Sequence, residues 1–241
     1  MANIWRIGEN NMTALQANHG AIVNMHTMYR KNLYDAAAYA HDIIKKSTNA
    51  KLGKKIVKGK WIDHKMYTVT LEERKTCTDE CEHLLDCFGN NMPFAHRFKA
   101  NTALTQKMAI ELDTLDRKHP MGYVVRLHIL GDFFSVKYVQ WWGKQLENRP
   151  NLKIYGYTRN HVTSKYGKIK AIAKEIQKLR IKYPDRFKVR FSNLPSDNLS
   201  ANSEHVSKQG FTCPQQTGKT ANCGTCGACW TSTKPVIFLD H

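Results

Sequence analysis

The sequence predicts an α/β protein built on a TIM-like full or partial parallel barrel, with a cysteine-rich C-terminal lobe. Three observations lead to this prediction. Strand-like and helix-like segments alternate through the middle of the chain, which favours a parallel sheet. The segment YVVRLHIL at residues 123–130 is apolar almost without interruption, as strands covered on both faces are. Residues 195–234 are rich in Ser, Asn, Thr and Gly and contain four cysteines.

The elements follow one another as strand, cysteine loop, helix, then strand and helix twice, and a last strand. The predicted strands are residues 65–73, 123–130, 152–160 and 187–193, and PVIFLD at 235–240 offers another. The predicted helices are residues 97–118, 136–147 and 168–183, where apolar side chains recur at helical spacing. Right-handed crossovers would join these strands in one sheet, and an open doubly wound sheet is the second choice.

Three regions are expected along the chain. Residues 1–64 form an N-terminal helical and basic segment, with a helix predicted over Leu33–Ile44. Residues 65–200 form the barrel-like core, and residues 201–241 form the cysteine-rich lobe, which we expect to pack on the core.

The charge of the chain predicts a polyanionic partner. Lys and Arg number 37 against 20 Asp and Glu, for a net charge of +17, and self-repulsion of this size opposes folding unless a partner neutralises it. Residues 45–75 carry ten basic side chains against three acids, and residues 165–190 carry ten against two. Such density suits phosphate neutralisation, so nucleic acid is the predicted partner. A chain made merely soluble by lysine is the alternative.

The sequence predicts neither membrane insertion nor secretion. No apolar run approaches the roughly 18 residues of a membrane span, and the start, MANIWRIGENNM, lacks the apolar core of a signal peptide. We therefore expect a cytoplasmic protein, in which the seven cysteines are reduced and available as ligands.

The C-terminal cysteines have the spacing of a metal or cluster site. Two intervals of two residues and one of nine separate Cys213, Cys223, Cys226 and Cys229. Four thiolates suit Zn²⁺ or a 4Fe–4S cluster. The CxxCxxC spacing favours iron–sulfur, because a cuboidal cluster accepts three ligands from one tight loop. Four unliganded cysteines are the alternative.

A second group, Cys77, Cys81 and Cys87, follows the first predicted strand. Three thiolates leave a cluster iron or a tetrahedral metal with one open position, which catalysis needs. Alternatively, His83 or His96 completes a structural zinc site, the thiols are inert and buried, or the two cysteine groups share one site.

Polar residues at the strand ends are the catalytic candidates, because parallel α/β folds place their chemistry there. Asp132 follows the second strand and suits a general base, a nucleophile or a ligand; capping a helix near Val136 is its alternative role. Arg159 and Asn160 close the third strand, where the arginine would hold a phosphate or a carboxylate.

The chain resembles the gene product 88 family of phages and plasmids from about residue 65 onward. The segments that carry the resemblance are RLHILGDFFSVKYVQWW, IYGYTRN and TCPQQTGKTANCGTCGACW. The resemblance implies a phage- or plasmid-encoded protein working in the host cytoplasm, and no particular activity.

The layout also resembles that of radical S-adenosylmethionine enzymes. In those, a three-cysteine loop follows the first barrel strand and a glycine–acid motif ends the second, as Gly131–Asp132 does here. The resemblance implies a 4Fe–4S cluster and S-adenosylmethionine at Cys77, Cys81 and Cys87, and an auxiliary cluster at the C-terminal cysteines. The second interval of the loop is five residues, where the family has two.

These observations predict an enzyme that modifies a nucleobase of nucleic acid, DNA in preference to RNA, through radical chemistry at an iron–sulfur site. One alternative resembles the guanine and 7-deazaguanine transglycosylases, with Asp132 as nucleophile and the C-terminal cysteines holding structural zinc. The other is a non-catalytic, zinc-stabilised DNA-binding protein.

Overall fold

The computed structural model describes residues 24–239. At its centre, five strands lie side by side in the order β2 (Lys45–Lys46), β3 (Lys65–Thr68), β5 (Tyr123–Leu127), β6 (Leu152–Thr158) and β7 (Phe187–Phe191). The last four are parallel and follow chain order, whereas β2 is an antiparallel edge. The four predicted core strands are thereby confirmed, each ending somewhat earlier than expected.

Three helices connect the parallel strands: α1 (Thr102–Lys118), α2 (Val136–Asn148) and α3 (Gly167–Lys182). Their buried side chains are those of the predicted apolar stripes, Leu104, Met108, Leu112 and Leu115 in α1 and Ile169, Ile172, Ala173, Ile176 and Leu179 in α3. Because right-handed crossovers between strands in chain order all turn the same way, these helices cover a single face of the sheet.

Alternate strand residues divide the core between the two faces. Val125 of β5 and Val189 of β7 pack with the helices, whereas Val124 and Tyr155 face a second apolar cluster. Two segments form that cluster together: the lysine-rich segment, residues 51–60 with Trp61 next to it, and the C-terminal segment, residues 199–239. Their members are Leu52, Ile56, Trp61, Cys213, Cys229, Trp230 and Val236. The C-terminal cysteines are therefore built into the face of the sheet that the helices leave uncovered.

Smaller elements surround the central sheet. Parallel pairs join β1 (Leu33–Tyr34) to β4 (Arg97–Phe98), and join β10 (Val236–Phe238) to both β8 (Ala201–Ser203) and β9 (Phe211–Thr212). The strand predicted at 235–240 is thus β10, in a separate sheet. Short helices are α4 (Cys223–Cys226) and α5 (Ala228–Thr231), and 3₁₀ turns cover Arg30–Asn32, Ala36–Ala38 and Phe88–Asn91.

The helix predicted over Leu33–Ile44 is wrong. Its first two residues pair with β4, and Asp35 then caps a 3₁₀ turn through the backbone N–H of Ala37. At its other end, the backbone N–H groups of Ile43 and Ile44 donate to the Glu111 carboxylate. Tertiary contacts with β4 and α1 therefore override the local helical preference of the alanines.

The structure confirms the mixed α/β class with parallel sheets. Closure into a TIM-like barrel stays a prediction, as do the three regions expected along the chain. Residues 1–23 of the N-terminal region and residues 240–241 of the C-terminal one lie outside the described residues.

Candidate active site

The carboxyl ends of the parallel strands bring three loops together. The cysteine loop, residues 77–87, follows β3, Asp132 follows β5, and Arg159 and Asn160 follow β6. The Asp132 carboxylate accepts a hydrogen bond from the backbone N–H of Arg159 at 2.7 Å. The Asn160 side chain donates to the carbonyl of Phe133 at 3.1 Å. The catalytic candidates and the cysteine loop thus occupy one edge of the sheet.

The thiols of Cys77, Cys81 and Cys87, called here the three-thiol site, lie near one another at this edge. The Cys77 thiol is within electrostatic range of the other two and of Asp132. Burial raises the pKa of Cys77 well above its ordinary value and that of Cys87 to about 11. Thiols with such pKa values stay protonated at neutral pH, so a metal or cluster that binds here must displace their protons.

A buried ionic network, which the sequence analysis missed, supports the cysteine loop. Glu73 and Arg97 are fully buried and form an ion pair at 2.7 Å. Arg74 donates to the carbonyl of Leu84 at 2.6 Å and to the side chain of Asn90 at 2.5 Å. A buried charge is stable only when it is paired and hydrogen-bonded in this way. Because these bonds join residues before the cysteine loop to residues after it, they hold the two ends of the loop together. In the sequence, the charged run Glu72-Glu73-Arg74 at the end of the first predicted strand could have indicated this network.

Asp132 links the ends of two strands. It does not cap α2, because Ser135 takes that role. The Ser135 hydroxyl accepts from the backbone N–H of Tyr138 at 3.1 Å. The two Asp132 oxygens accept from the backbone N–H groups of Phe133, at 2.6 Å, and of Arg159. Burial raises the pKa of Asp132 to about 6, although these hydrogen bonds lower it.

Gly131 allows the Asp132 loop to lie against the base of the cysteine loop. Its φ of +82° is one that side chains disfavour, and a Cβ here would stand 2.4 Å from Thr76 Oγ1 and 2.7 Å from Leu71 Cβ. The Thr76 hydroxyl also accepts from the backbone N–H of Asp132 at 3.2 Å. The Gly-Asp pair is therefore a packing element for the three-thiol site.

Arg159 and Asn160 take different positions at this edge. The Arg159 guanidinium donates to Glu82 at 2.6 Å and lies 2.7 Å from Nδ1 of His161. Asn160 is buried, and its side chain also donates to the Thr158 hydroxyl at 3.0 Å, so it supports its own loop. Glu82 is a further polar residue that the sequence analysis missed.

The four C-terminal cysteines, called here the four-thiol site, line one small cavity on the sheet face opposite the helices. Cys213 follows β9, Cys223 and Cys226 bound α4, and Cys229 lies in α5. The thiols of the three-thiol site do not contribute to the lining of this cavity. The two groups of cysteines therefore gather at two separate places.

Aromatic side chains and a cation of the sheet approach the four-thiol site. The Tyr157 hydroxyl lies 2.8 Å from Cys229 Sγ, and the Arg126 guanidinium stacks over the Tyr157 ring at 4.6 Å. Burial raises the pKa of Cys223 to about 12 and also raises that of Cys229. As at the other site, binding of a metal must release protons.

Arg190 fastens the C-terminal segment to β7. This side chain is buried, and its guanidinium donates to backbone carbonyls of that segment, those of Leu199, Ser200, Ala228, Cys229, Ser232 and Lys234. Nearby, the rings of Trp61 and Trp230 stack with centroids 5.6 Å apart. The turn that carries three of the cysteines is thus fixed to the sheet through its main chain.

The thiols fit a metal or a cluster by their chemistry. Four soft sulfur donors around one cavity match Zn²⁺ and iron–sulfur clusters. Over residues 24–239, no three Cys, His, Asp or Glu side chains stand as they are in an arrangement that would hold a metal ion. Binding of a metal or cluster would have to draw the sulfurs together.

The two basic stretches differ in the structure. The side chains of the first are mostly exposed along residues 51–60, whose main chain packs on α4: the carbonyl of Lys51 accepts from the N–H of Cys223 at 2.8 Å. In the second stretch, Arg190 is buried and Arg180 pairs with Asp197 at 2.8 Å. Part of the charge counted at 165–190 is therefore structural.

Residues 42–232 match the profile of a family described as gene product 88. This span covers more than half of the chain. The chain belongs to the gene product 88 family.

The family match extends over both thiol sites, the Gly131–Asp132 pair and the lysine-rich segment 51–60 of this gene product 88 protein. No curated protein and no solved structure matches the chain. In the part of this family member that the structure describes, no helix has both the length and the apolar character needed to cross a bilayer.

Proposed function

We propose that the protein is an iron–sulfur enzyme that modifies a nucleobase by radical chemistry of the S-adenosylmethionine type. One observation carries the proposal: Cys77, Cys81 and Cys87 gather beside Asp132 at the carboxyl edge of four parallel strands. That edge is where parallel α/β folds place their reactive groups. The four consecutive strands would then be part of a TIM-like barrel.

Each residue of the three-thiol site has a defined part in this proposal. The thiolates of Cys77, Cys81 and Cys87 would hold a 4Fe–4S cluster, and that cluster, supplied with one electron by an external reductant, would provide the reductive cleavage of S-adenosylmethionine. The Glu73–Arg97 pair keeps the loop in shape. Asp132 holds the ends of β5 and β6 together, and the Arg159 side chain faces the same edge to bind an anionic group of a ligand.

The four-thiol site has a supporting part. Cys213, Cys223 and Cys229 lie in an apolar cluster with Val124 and Tyr155, and with Cys226 they would form a closed ligand set, which is typical of structural sites. Either zinc or an auxiliary cluster would fill that role, and the CxxCxxC spacing favours the cluster.

The nucleic-acid partner is proposed from charge, and the exposed lysines of residues 51–60 support it best. Lys54 and Lys58 project to solvent from a segment that packs on the four-thiol site. A phosphate backbone that lies along them would release counterions at each contact. DNA is preferred over RNA.

Base exchange by Asp132 is the second candidate, supported by the burial that raises its pKa to about 6. Its two oxygens, however, each accept a backbone hydrogen bond, from Phe133 and from Arg159. Each oxygen has a second lone pair, but the side chains of Thr158 and Asn160 also donate to this carboxylate, so the protein itself engages it and a positioning role for Asp132 is favoured.

Anaerobic purification with iron and sulfide reconstitution tests the proposal. We expect a brown protein with equal iron and sulfide, and reductive cleavage of S-adenosylmethionine to methionine and 5′-deoxyadenosine. The Cys77→Ala, Cys81→Ala, Cys87→Ala triple variant should keep the metal of the four-thiol site, whether zinc or iron, and lose the cleavage. A colourless protein that holds only zinc would refute radical chemistry.

The nucleic-acid part has its own measurement. Changing Lys54, Lys55 and Lys58 to Gln should reduce the slope of log affinity against log salt by about 0.9 for each phosphate of duplex DNA that is no longer neutralised. The matched control changes Lys168, Lys174 and Lys178 on α3. If the wild-type protein binds neither duplex nor single strands at low salt, the partner is wrong.

A further inference from the structure

The Glu82 carboxylate is held at the carboxyl edge of the sheet by donors from two neighbouring strand ends. Glu82 lies in the cysteine loop, directly after Cys81. One of its oxygens accepts from Arg159 Nη2 at 2.6 Å and the other from Asn193 Nδ2 at 2.9 Å. Each oxygen therefore meets a separate donor, and the two donors come from the ends of β6 and β7.

The two donors are held in place independently of Glu82. Asn193 has a φ of +52°, a left-handed conformation uncommon for residues other than glycine, and its Oδ1 accepts from the backbone N–H of Ser203 at 2.7 Å. This bond turns Nδ2 toward Glu82. Asparagine adopts this conformation more readily than other non-glycine residues, so Asn193 holds it at little cost.

The protein matches the hydrogen-bonding groups of Arg159 incompletely. Its Nε is buried and has no hydrogen-bond partner within residues 24–239. Its Nη1 lies against the ring of His161, whose pKa is lowered by burial and by the Arg159 charge, so the ring stays neutral. The guanidinium thus has one acidic partner, Glu82, among its described hydrogen bonds.

Glu82 is a weakly held occupant of this place. Its side chain is 44% exposed, and ion pairs at that exposure contribute little to stability. A ligand that brings a better oxyanion could displace it without unfolding the loop.

We propose that Arg159 and Asn193 form an oxyanion subsite for a phosphodiester of the nucleic-acid substrate, and that Glu82 fills this subsite until the substrate displaces it. The choice of a phosphodiester rests on the proposed function, through the net charge of +17. The subsite itself rests only on the geometry of the three side chains.

Two probes test the subsite and the nucleic-acid partner separately. One is inorganic phosphate, and the other is a short single-stranded oligonucleotide in a fluorescence anisotropy titration over a range of salt. In Glu82→Gln the subsite loses its internal competitor. Because one charge-assisted hydrogen bond set is gained, we expect phosphate and oligonucleotide to bind about tenfold more tightly. The salt slope for the oligonucleotide should become steeper by about 0.7, the value for one more neutralised phosphate on a single strand.

Asp79→Asn is the matched control, since Asp79 is an exposed acid of the same loop and its loss changes the net charge equally. We expect a smaller gain from Asp79→Asn and an unchanged slope. In the Glu82→Gln, Arg159→Gln double variant the gain should disappear for both probes.

A gain equal to that of Asp79→Asn, or one that survives the loss of Arg159, would overturn the subsite. If phosphate responds as expected while the oligonucleotide does not bind any variant, the subsite stands and the nucleic-acid partner fails. If iron is absent but both probes respond, the subsite stands and the radical chemistry fails.

Discussion

The two thiol sites both offer cysteine sulfur as a ligand, but apolar side chains surround one of them and charged side chains lie beside the other. The four-thiol site lies in an apolar cluster with Val124, Tyr155 and Trp230, and its main chain is fixed by Arg190. The three-thiol site lies at the edge of the sheet, within electrostatic range of Asp132. Its loop is supported by the buried Glu73–Arg97 ion pair and carries the exposed Glu82.

In the proposed function, this difference gives the two sites two separate tasks. A closed set of ligands inside a packed core contributes folding free energy. An incomplete set at the carboxyl edge of a sheet leaves room for a ligand and surrounds it with groups that respond to charge. We therefore expect damage to the first site to be felt as lost stability, and damage to the second as lost chemistry.

The largest effect is expected from Cys229→Ser. Cys229 is buried in the apolar cluster and contacts the Tyr157 hydroxyl, so the proposed metal or cluster would be lost together with the packing around this thiol. Soluble yield and metal content should fall together. Cys81→Ser, in the three-thiol site, should keep the yield and lose only the metal of its own site. Equal thermal stability of the two variants would contradict the comparison.

Arg190→Gln should be next in size. The variant leaves several buried carbonyls of the C-terminal segment without a donor, each costing about 1–3 kcal/mol before relaxation. We expect the free energy of unfolding in urea to fall by about 3–5 kcal/mol. Arg180→Gln is the control, because that guanidinium pairs with Asp197 nearer to solvent and should cost about 1 kcal/mol. Similar losses would mean that Arg190 is no anchor.

Part of this contrast was predictable from the sequence. The apolar stripe of α1 and the near-continuous run of β5 record burial directly in their periodicity, so the body of each of these two elements was predicted correctly. The chain order of the strands then brought Asp132 to the cysteine loop. Local patterns suffice where each element is buried along its whole length.

Other features depend on contacts that no local pattern records. The alanines at 36–38 are typical of a helix, yet β4 and Glu111 hold that segment in another form. Arg190 counts as one more basic residue in the sequence, and only the fold shows that carbonyls surround it. Likewise, the lysine-rich segment lies far in sequence from the last cysteines and packs on them in space.

The smallest effect on stability is expected from Gly131→Ala, which sharpens the comparison most. The added Cβ meets Thr76 Oγ1 and Leu71 Cβ, and φ of +82° is strained for alanine. We expect a loss of about 1–3 kcal/mol, because the neighbours can shift only at the cost of the hydrogen bond between Thr76 and Asp132. The displaced loop should bind iron poorly at the three-thiol site while the four-thiol site stays loaded. Iron content and urea unfolding, measured on one preparation, check both parts.

Gly167→Ala is the matched control, because a Cβ at that glycine meets no atom within 4 Å. If Gly131→Ala lowers stability but leaves the three-thiol site fully loaded, the Gly-Asp pair supports the sheet alone and the link to the cysteine loop is wrong.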